Sequence, residues 1–396
     1  MKVGIAALIL GYVLSQFYRA FLAVLTPVLA QDLGATPEVL AEASGWWFLA
    51  FAAMQLPLGA ALDRVGPRLT ASSLLAVGAV GAAIFATAQG VGGIKLGMAL
   101  IGAGCAPVLM ASYYIFARQF SPAVFGTLAG MVIGIGSLGN IAASIPLSAA
   151  VAAMGWRATV WGLAAVTALV AVAILALVRD PARVEHSQRG SVLDLLRIPA
   201  LWPVFILMFV CYAPPAGIRG LWVGPWYRDV FGADATAIGW VTLAMGLAMV
   251  AGNFAYGPME RVLGTRKWLN FGGNTLLLAC LIALGFAAGR PGWLPVALLM
   301  GVGFFGASFP MVMAHGRAFL PPHLVGRGVS LINLFGIGSA GLMQMVTGRI
   351  SKALAPAGDL ANSAPPSLPY AAIFWFYAAL LAAGLAVYLF ARDRTD

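Results

Sequence analysis

Charged side chains are scarce in this chain of 396 residues. Asp, Glu, Lys and Arg make up only 9% of it, whereas 61% of the residues are hydrophobic, and the mean hydropathy is +0.93. A water-soluble protein needs a far more polar surface than this composition can supply. The chain is therefore predicted to be a membrane protein that crosses the bilayer many times.

Cysteine is also rare, and motifs for chemistry are missing. The three cysteines, Cys105, Cys211 and Cys280, all lie inside apolar runs without paired spacing, which argues against a disulfide framework or a zinc site. The sequence offers no nucleophile–base pair, metal-ligand cluster or cofactor motif. We therefore expect no enzymatic activity, no cofactor and no definite metal site.

Acidic residues number 13 against 23 basic ones, giving a formal net charge of +10. The basic residues are scattered between apolar segments instead of forming one basic face or tail, so nucleic acid is not the expected partner. The expected partners are the lipid bilayer and a small molecule, and the chain is expected to be a monomer.

Apolar segments dominate the chain and are long enough to cross the ~30 Å hydrocarbon core of a bilayer. The first contains Arg19 and is too long for the apolar part of a signal peptide, so we expect it to be retained. The twelve predicted spans cover residues 3–31, 37–61, 69–88, 93–117, 124–153, 158–178, 202–226, 236–258, 268–288, 292–315, 325–350 and 369–391.

The distribution of Lys and Arg orients these spans. With both termini on one side, that side collects fifteen basic residues and the other side six, while Arg19 and Arg219 lie within spans. Because basic loops stay in the cytoplasm, both termini are predicted to be cytoplasmic and the protein to lie in the cell inner (plasma) membrane.

The chain repeats itself at intervals of about 200 residues. The segment Gly134-Ile-Gly136-Ser-Leu-Gly139 in the fifth span is matched by Gly336-Ile-Gly338-Ser-Ala-Gly341 in the eleventh, and Arg19 is matched by Arg219. Such repeats are typical of transporters built from two related halves. We predict an all-α fold of two pseudo-symmetric six-helix bundles, 1–178 and 202–396, joined by a cytoplasmic linker, 179–201.

The loop after the second span reads Gly59-x-x-x-Asp63-Arg64-x-Gly66-x-Arg68. It resembles the loop signature of the major facilitator superfamily, and the resemblance extends over essentially the whole chain. This implies alternating-access secondary transport on a twelve-helix fold. It also implies a gating role for Asp63, Arg64 and Arg68, and the degraded second copy, with Glu260 and Arg261, is expected to act in the same way.

Two segments resemble one branch of that superfamily more closely. Phe17-Tyr18-Arg19 in the first span and Arg219-Gly-Leu-Trp222 in the seventh are similar to the organophosphate:phosphate antiporters and related organic-anion carriers. In that branch, one arginine from each of these helices binds the anionic group of the substrate. The resemblance therefore implies that Arg19 and Arg219 bind substrate.

Arg19 and Arg219 support the same hypothesis without the resemblance. Both lie about seventeen residues into their spans, roughly 25 Å along a helix, which is too deep for easy snorkelling. A guanidinium group suits carboxylate or phosphate because it donates two parallel hydrogen bonds. No Asp or Glu lies in the middle of a span, so an anionic substrate carried by exchange or facilitated import is favoured. The structural alternative is pairing with backbone carbonyls.

Aromatic and amide side chains on the same spans are further candidates for substrate contact. In a regular helix, Tyr12 and Gln16 share a face with Arg19, and Tyr212 and Trp222 share one with Arg219. Core packing is the alternative for each. The remaining candidates are Tyr18, Tyr113 and Tyr114.

Three other functions remain open. Aromatic lining favours a hydrophobic drug exporter, and a transporter-like sensor would need a separate partner in the membrane. A copper importer would use soft ligands. His315 is the candidate for a proton or metal site, together with Met311, Met313, Met245 and Met249.

Overall fold

The computed structural model describes residues 2–120, 122–181, 195–321, 325–355 and 365–395. Every regular element within these ranges is helical, which confirms the predicted fold class. In the first half the helices are α1 Lys2–Tyr18, α2 Phe21–Leu33, α3 Pro37–Arg64, α4 Pro67–Ala86, α5 Val91–Cys105, α6 Pro107–Gln119, α7 Pro122–Ala142, α8 Ile145–Met154 and α9 Trp156–Leu177.

The second half opens with a short 3₁₀ turn, Pro199–Leu201, and contains two irregular helical turns, Ile218–Trp222 and Gly306–Ser308. Its helices are α10 Trp202–Cys211, α11 Ala213–Gly217, α12 Val223–Phe231, α13 Ala235–Leu263, α14 Lys267–Ala287, α15 Trp293–Phe305, α16 Phe309–Arg317, α17 Val325–Leu354 and α18 Leu368–Tyr388.

Ten helical segments in the described part of the chain are long and apolar enough to cross a membrane. Two further pairs pass together but are bent, by 49° between α1 and α2 and by 41° between α7 and α8. With each bent pair taken as one span, the number reaches the predicted twelve. The bounds agree with the predicted spans to within a few residues, because hydropathy alone decides where a helix can lie in hydrocarbon.

Proline explains several of the breaks within spans. Pro146 lies in the first turn of α8, Pro214 and Pro215 open α11, and Pro310 opens α16. Proline cannot donate a backbone hydrogen bond, and its ring clashes with the carbonyl four residues earlier. A helix that meets proline in mid-span therefore bends or changes its winding.

The described contacts divide the chain into two compact units, Met1–His186 and Ser187–Asp396. Their internal packing corresponds span by span. In the first unit α4 packs on α5 and α9, α3 on α5, and α1 on α7. In the second unit α14 packs on α15 and α18, α13 on α15, and α10 on α17. The repeat in the sequence is thus a repeat in packing.

Glycines bring α7 against α1 in the first unit. A Cβ atom on Gly136 would collide with the ring of Tyr12, and one on Gly139 would collide with the carbonyl oxygen of Val13. In the second unit a Cβ on Gly336 would stand 2.7 Å from the ring of Phe309. Small residues thus allow close helix contact, as the glycine-rich segments indicate.

A carboxylate caps the third span of each unit. Asp180, after α9, accepts the backbone N–H of Arg68 at 2.8 Å. Asp393, after α18, accepts the N–H groups of Lys267 and Arg266 at 3.0 and 3.2 Å. Since a helix N-terminus carries free N–H groups and partial positive charge, both carboxylates stabilise the helix that they cap.

Candidate functional site

Arg19 lies in the break between α1 and α2 and is half-buried. Its guanidinium carbon is 5.3 Å from the ring centroid of Trp47 and 4.8 Å from that of Phe51. These two rings belong to α3 and stack with centroids 5.2 Å apart. Two aromatic faces therefore hold the cation through cation–π attraction, which strengthens where water is excluded.

Arg219 lies in the π-helical turn Ile218–Trp222 and is only 3% exposed. Its guanidinium group lies against Gly246 of α13: a Cβ there would stand 2.9 Å from Nη2 and 3.1 Å from Nε. Isolated π turns within helices are frequent at functional sites. The turn begins three residues after Pro215, and the arginine that it carries lies in the interior of the unit.

These breaks interrupt the helices on which one prediction from the sequence depends. The grouping of Tyr12, Gln16 and Arg19 on one face assumes a continuous helix, but α1 ends at Tyr18. The grouping of Tyr212, Arg219 and Trp222 rests on the same assumption, and here a bend at Tyr212 and the π turn Ile218–Trp222 interrupt the regular helix. The period of 3.6 residues does not extend across either break.

The tyrosines of the first unit lie in three environments. Tyr12 is buried against Gly136. Tyr113 lies near Tyr12. Tyr18 is fully buried, and its hydroxyl is 2.9 Å from Thr167 Oγ1 on α9. Tyr114 lies under the guanidinium of Arg118, 4.4 Å from its ring centroid. Gln16 is half-buried on α1.

The two aromatic candidates of the seventh span, Tyr212 and Trp222, also lie in different environments. Tyr212 is half-buried, packs against Phe309 with centroids 4.8 Å apart, and lies within electrostatic range of Arg219. Trp222 is fully buried and donates its indole N–H to Thr347 at 3.1 Å. Tyr212 is therefore a neighbour of Arg219, whereas the indole N–H of Trp222 is engaged with Thr347.

The proposed gating residues make ion pairs within their own units. Asp63 lies 3.5 Å from Arg118, and Glu260 lies 2.6 Å from Arg266. Arg68 donates its side-chain Nε–H to the carbonyl oxygen of Leu175 at 2.6 Å. Arg64 and Arg261 are exposed. The sequence did not identify Arg118 and Arg266 as the partners of these carboxylates, because nothing in a linear pattern shows which helix ends meet.

His315 is fully buried, and both of its ring nitrogens are engaged. Nδ1 lies 2.6 Å from the hydroxyl of Tyr388, and Nε2 lies 2.9 Å from the carbonyl oxygen of Arg392. Within the described ranges no group of three His, Cys, Asp or Glu residues could hold a metal ion.

The methionines proposed as soft ligands lie in two places. Met245 and Met249 pack against Gly303 of α15, where a Cβ would stand 3.3 and 3.2 Å from their Cγ atoms. Met311 belongs to a buried cluster with Tyr256, Leu269 and Ala307. Met313 is half-buried on α16.

Comparison with known proteins places this arrangement in a family. Residues 8–218 match the family model of the Major Facilitator Superfamily, which is more than half of the chain. The chain belongs to the Major Facilitator Superfamily, and it is a membrane transport protein by fold. A search of curated proteins finds no match by sequence.

Solved structures of other transporters share the fold at low sequence identity. The nucleoside transporter NupG matches with a TM-score of 0.78 and 12% identity, over 98% of this chain and 99% of that one. A D-xylose-proton symporter matches at 0.77 and 14%, over 98% and 97%. A bacterial homologue of the human lysosomal transporter Spinster, inward-facing and occupied, matches at 0.76 and 16%, over 98% and 96%. These likenesses extend the fold over both units.

Proposed function

We propose that the protein carries a small organic or phosphorylated anion across the inner membrane by alternating access, through exchange or facilitated import. Arg219 is the anion-binding residue of the second unit, and Arg19 is its counterpart in the first. The observation that carries the proposal is the enclosure of the Arg219 guanidinium against Gly246 in a π turn.

Irregular backbone supports a functional role for both arginines. Arg19 lies at a 49° bend in the first span, and Arg219 lies in a π turn in the seventh. Backbone that departs from the α-helix in mid-membrane is tolerated where it is enclosed by protein or lines a cavity, and transporters use such breaks at substrate sites. The same element of each unit thus combines a cation with a helix break.

The chemistry of the guanidinium group selects the substrate class. It is planar and stays charged at working pH, and it donates two parallel hydrogen bonds to a carboxylate or phosphate. At 3% exposure Arg219 interacts with an anion in a medium of low dielectric constant, where the attraction is much stronger than in water. An anionic group is therefore the ligand that best stabilises this residue.

The gating proposal rests on the ion pairs at the predicted cytoplasmic ends of the spans. The pairs Asp63–Arg118 and Glu260–Arg266 each join groups from different elements of one unit. An ion pair that forms in only one conformation biases the populations of the two states. We infer that these pairs, with Arg64, Arg68 and Arg261, stabilise one state of the transport cycle.

Transport in proteoliposomes tests the proposal. Vesicles loaded with one unlabelled anion are assayed for uptake of the same labelled anion, using carboxylates, phosphate esters and inorganic phosphate in turn. Exchange predicts uptake that needs internal anion, facilitated import predicts uptake without it, and both predict loss in Arg219→Ala. Uptake of hydrophobic cations or Cu(I) that Arg219→Ala leaves intact would overturn the anion proposal.

A further inference from the structure

A chain of buried polar groups runs through the second unit. Ser308, in the break of the tenth span, exchanges hydrogen bonds with the side chain of Asn274 at 3.1 and 3.4 Å. Asn274 donates to the carbonyl oxygen of Asn270 at 2.8 Å, and the Asn270 amide donates to the hydroxyl of Tyr388 at 3.4 Å. The hydroxyl of Tyr388 is in turn hydrogen-bonded to Nδ1 of His315. All five side chains are fully buried.

The partners of His315 fix its neutral tautomer. The carbonyl oxygen of Arg392 can only accept, so Nε2 carries the hydrogen that points to it. Nδ1 therefore accepts, and the hydroxyl of Tyr388 donates to it at 2.6 Å. Asn270 then completes the coordination of the Tyr388 oxygen by donating to it. In this state each ring nitrogen of His315 has one partner.

The same side chains can also form a second set of hydrogen bonds in which His315 is protonated. If Nδ1 binds a proton, it must donate to the Tyr388 oxygen, and the hydroxyl hydrogen of Tyr388 needs another acceptor. Asn270 Oδ1 is buried and accepts no hydrogen bond in the described part of the chain. A half-turn of the Asn270 amide presents Oδ1 to the Tyr388 hydroxyl, so the protonated state is hydrogen-bonded as well.

Some of the groups around His315 favour protonation of its ring, and others oppose it. Burial of the ring opposes a proton on it most strongly, the carboxylate of Asp393 favours one, and Arg266 and Lys267 at the start of α14 oppose it. On its own helix the nearest charge is the exposed Arg317, and Arg394 lies over the ring of Phe319, which contacts His315 edge-on. Asp393 also caps the N-terminus of α14. A positive charge on His315 would therefore attract the carboxylate that stabilises this helix end.

We propose that His315 is a proton-binding site, at which Tyr388 and Asn270 reverse their hydrogen bonds when the proton binds, and that proton binding there is coupled to anion transport. The far end of the chain supports the coupling. Phe309, the residue after Ser308, packs against the ring of Tyr212 with centroids 4.8 Å apart, and Tyr212 belongs to the span that carries Arg219. The coupling rests on the proposed function, whereas the proton site does not.

Histidine NMR of the detergent-solubilised protein tests the proton site. The chain has three histidines, and the signal that His315→Gln removes is assigned to His315. We expect this signal to titrate between about pH 5 and pH 8. Tyr388→Phe should shift the midpoint by at least about 0.5 pH unit, roughly a threefold change in proton affinity. The matched control is Tyr377→Phe, which removes a buried hydroxyl from the same helix and should leave the midpoint unchanged.

A His315 signal that does not titrate over this range, or a midpoint that Tyr388→Phe and Tyr377→Phe leave equally unchanged, would overturn the site. Coupling is tested by adding a transported anion. Because linkage is reciprocal, the midpoint must move with anion and anion affinity must change with pH by the same factor. A midpoint unaffected by a saturating transported anion would overturn the coupling.

One variant separates this proposal from the proposed function. Arg219→Ala should abolish the effect of anion on the midpoint but keep the titration of His315 without anion. If the wild-type protein transports no anion, the proposed function fails, while the titration and its dependence on Tyr388 still decide whether the proton site exists.

Discussion

The guanidinium group of Arg219 and the backbone of Gly246 are in direct contact, with Nη2 only 2.9 Å from the position that a Cβ on Gly246 would occupy. The two residues belong to neighbouring spans and are 27 positions apart in the chain. A side chain at position 246 would occupy the space that the cation now fills. The absence of a side chain at Gly246 therefore leaves room for the guanidinium.

Gly246→Ala should impair anion binding more than folding. The added methyl group meets the far end of a flexible side chain, which can move aside at small cost, but the guanidinium then leaves its position. We expect anion affinity to fall about tenfold or more, which corresponds to ~1.4 kcal/mol. Gly257→Ala on the same helix is the control, because its Cβ would meet nothing within 4 Å. Equal affinities in the two variants would contradict this role for Gly246.

Tyr18→Phe should lower stability and leave anion affinity unchanged. Thr167 donates its hydroxyl to the carbonyl oxygen of Leu163, so Tyr18 is the donor in their shared bond. Loss of one such buried bond costs about 0.5–1.5 kcal/mol. Thermal unfolding and anion titration of the variant measure the two effects. A weaker anion affinity at unchanged stability would place Tyr18 in the substrate site.

Asp393→Asn should destabilise the protein in a pH-dependent way. Burial opposes the ionised form of Asp393, but hydrogen bonds from Thr265 and from the N–H groups of Lys267 and Arg266 outweigh it, so its pKa lies below the usual 3.8. A lowered folded-state pKa contributes stability above pH 3.8, and this contribution is lost as the pH falls through the folded-state value.

The difference in unfolding temperature between wild type and Asp393→Asn should therefore be largest at neutral pH. It should decrease as the pH falls through the folded-state pKa of Asp393. Asp180→Asn should also destabilise at neutral pH, since Asp180 caps α4 in the same manner. An Asp393→Asn difference that is as large below the pKa as at pH 7 would show that charge plays no part in the cap.

Much of the fold could be predicted because hydropathy and the internal repeat report directly on membrane spans. The positions of the breaks could not be predicted in the same way. Pro214 and Pro215 signal a disturbance in the seventh span, but whether it becomes a kink or a π turn depends on packing around it. The break at Arg19 has no proline next to it. Face assignments by helical period therefore do not extend across these breaks.

The candidate site was only partly accessible from the sequence. Intramembrane charge identified Arg19 and Arg219, because ionisable residues are costly in hydrocarbon. Their surroundings, Trp47 with Phe51 and Gly246, come from other spans, and one sequence does not show which spans touch. The caps Asp180 and Asp393 share an Arg-Asp pair after the sixth and twelfth spans, which is a signal that a search for repeats could have found.

Thermal unfolding of the detergent-purified protein with a panel of carboxylates, phosphate esters and inorganic anions tests whether Arg19 and Arg219 bind an anion. A ligand that binds only the folded state raises the unfolding temperature by mass action. We expect a selective rise in the wild type that is lost in Arg19→Ala and Arg219→Ala and kept in the control Arg317→Ala, whose side chain is exposed. No rise with any anion, or a rise that persists in both variants, would contradict it.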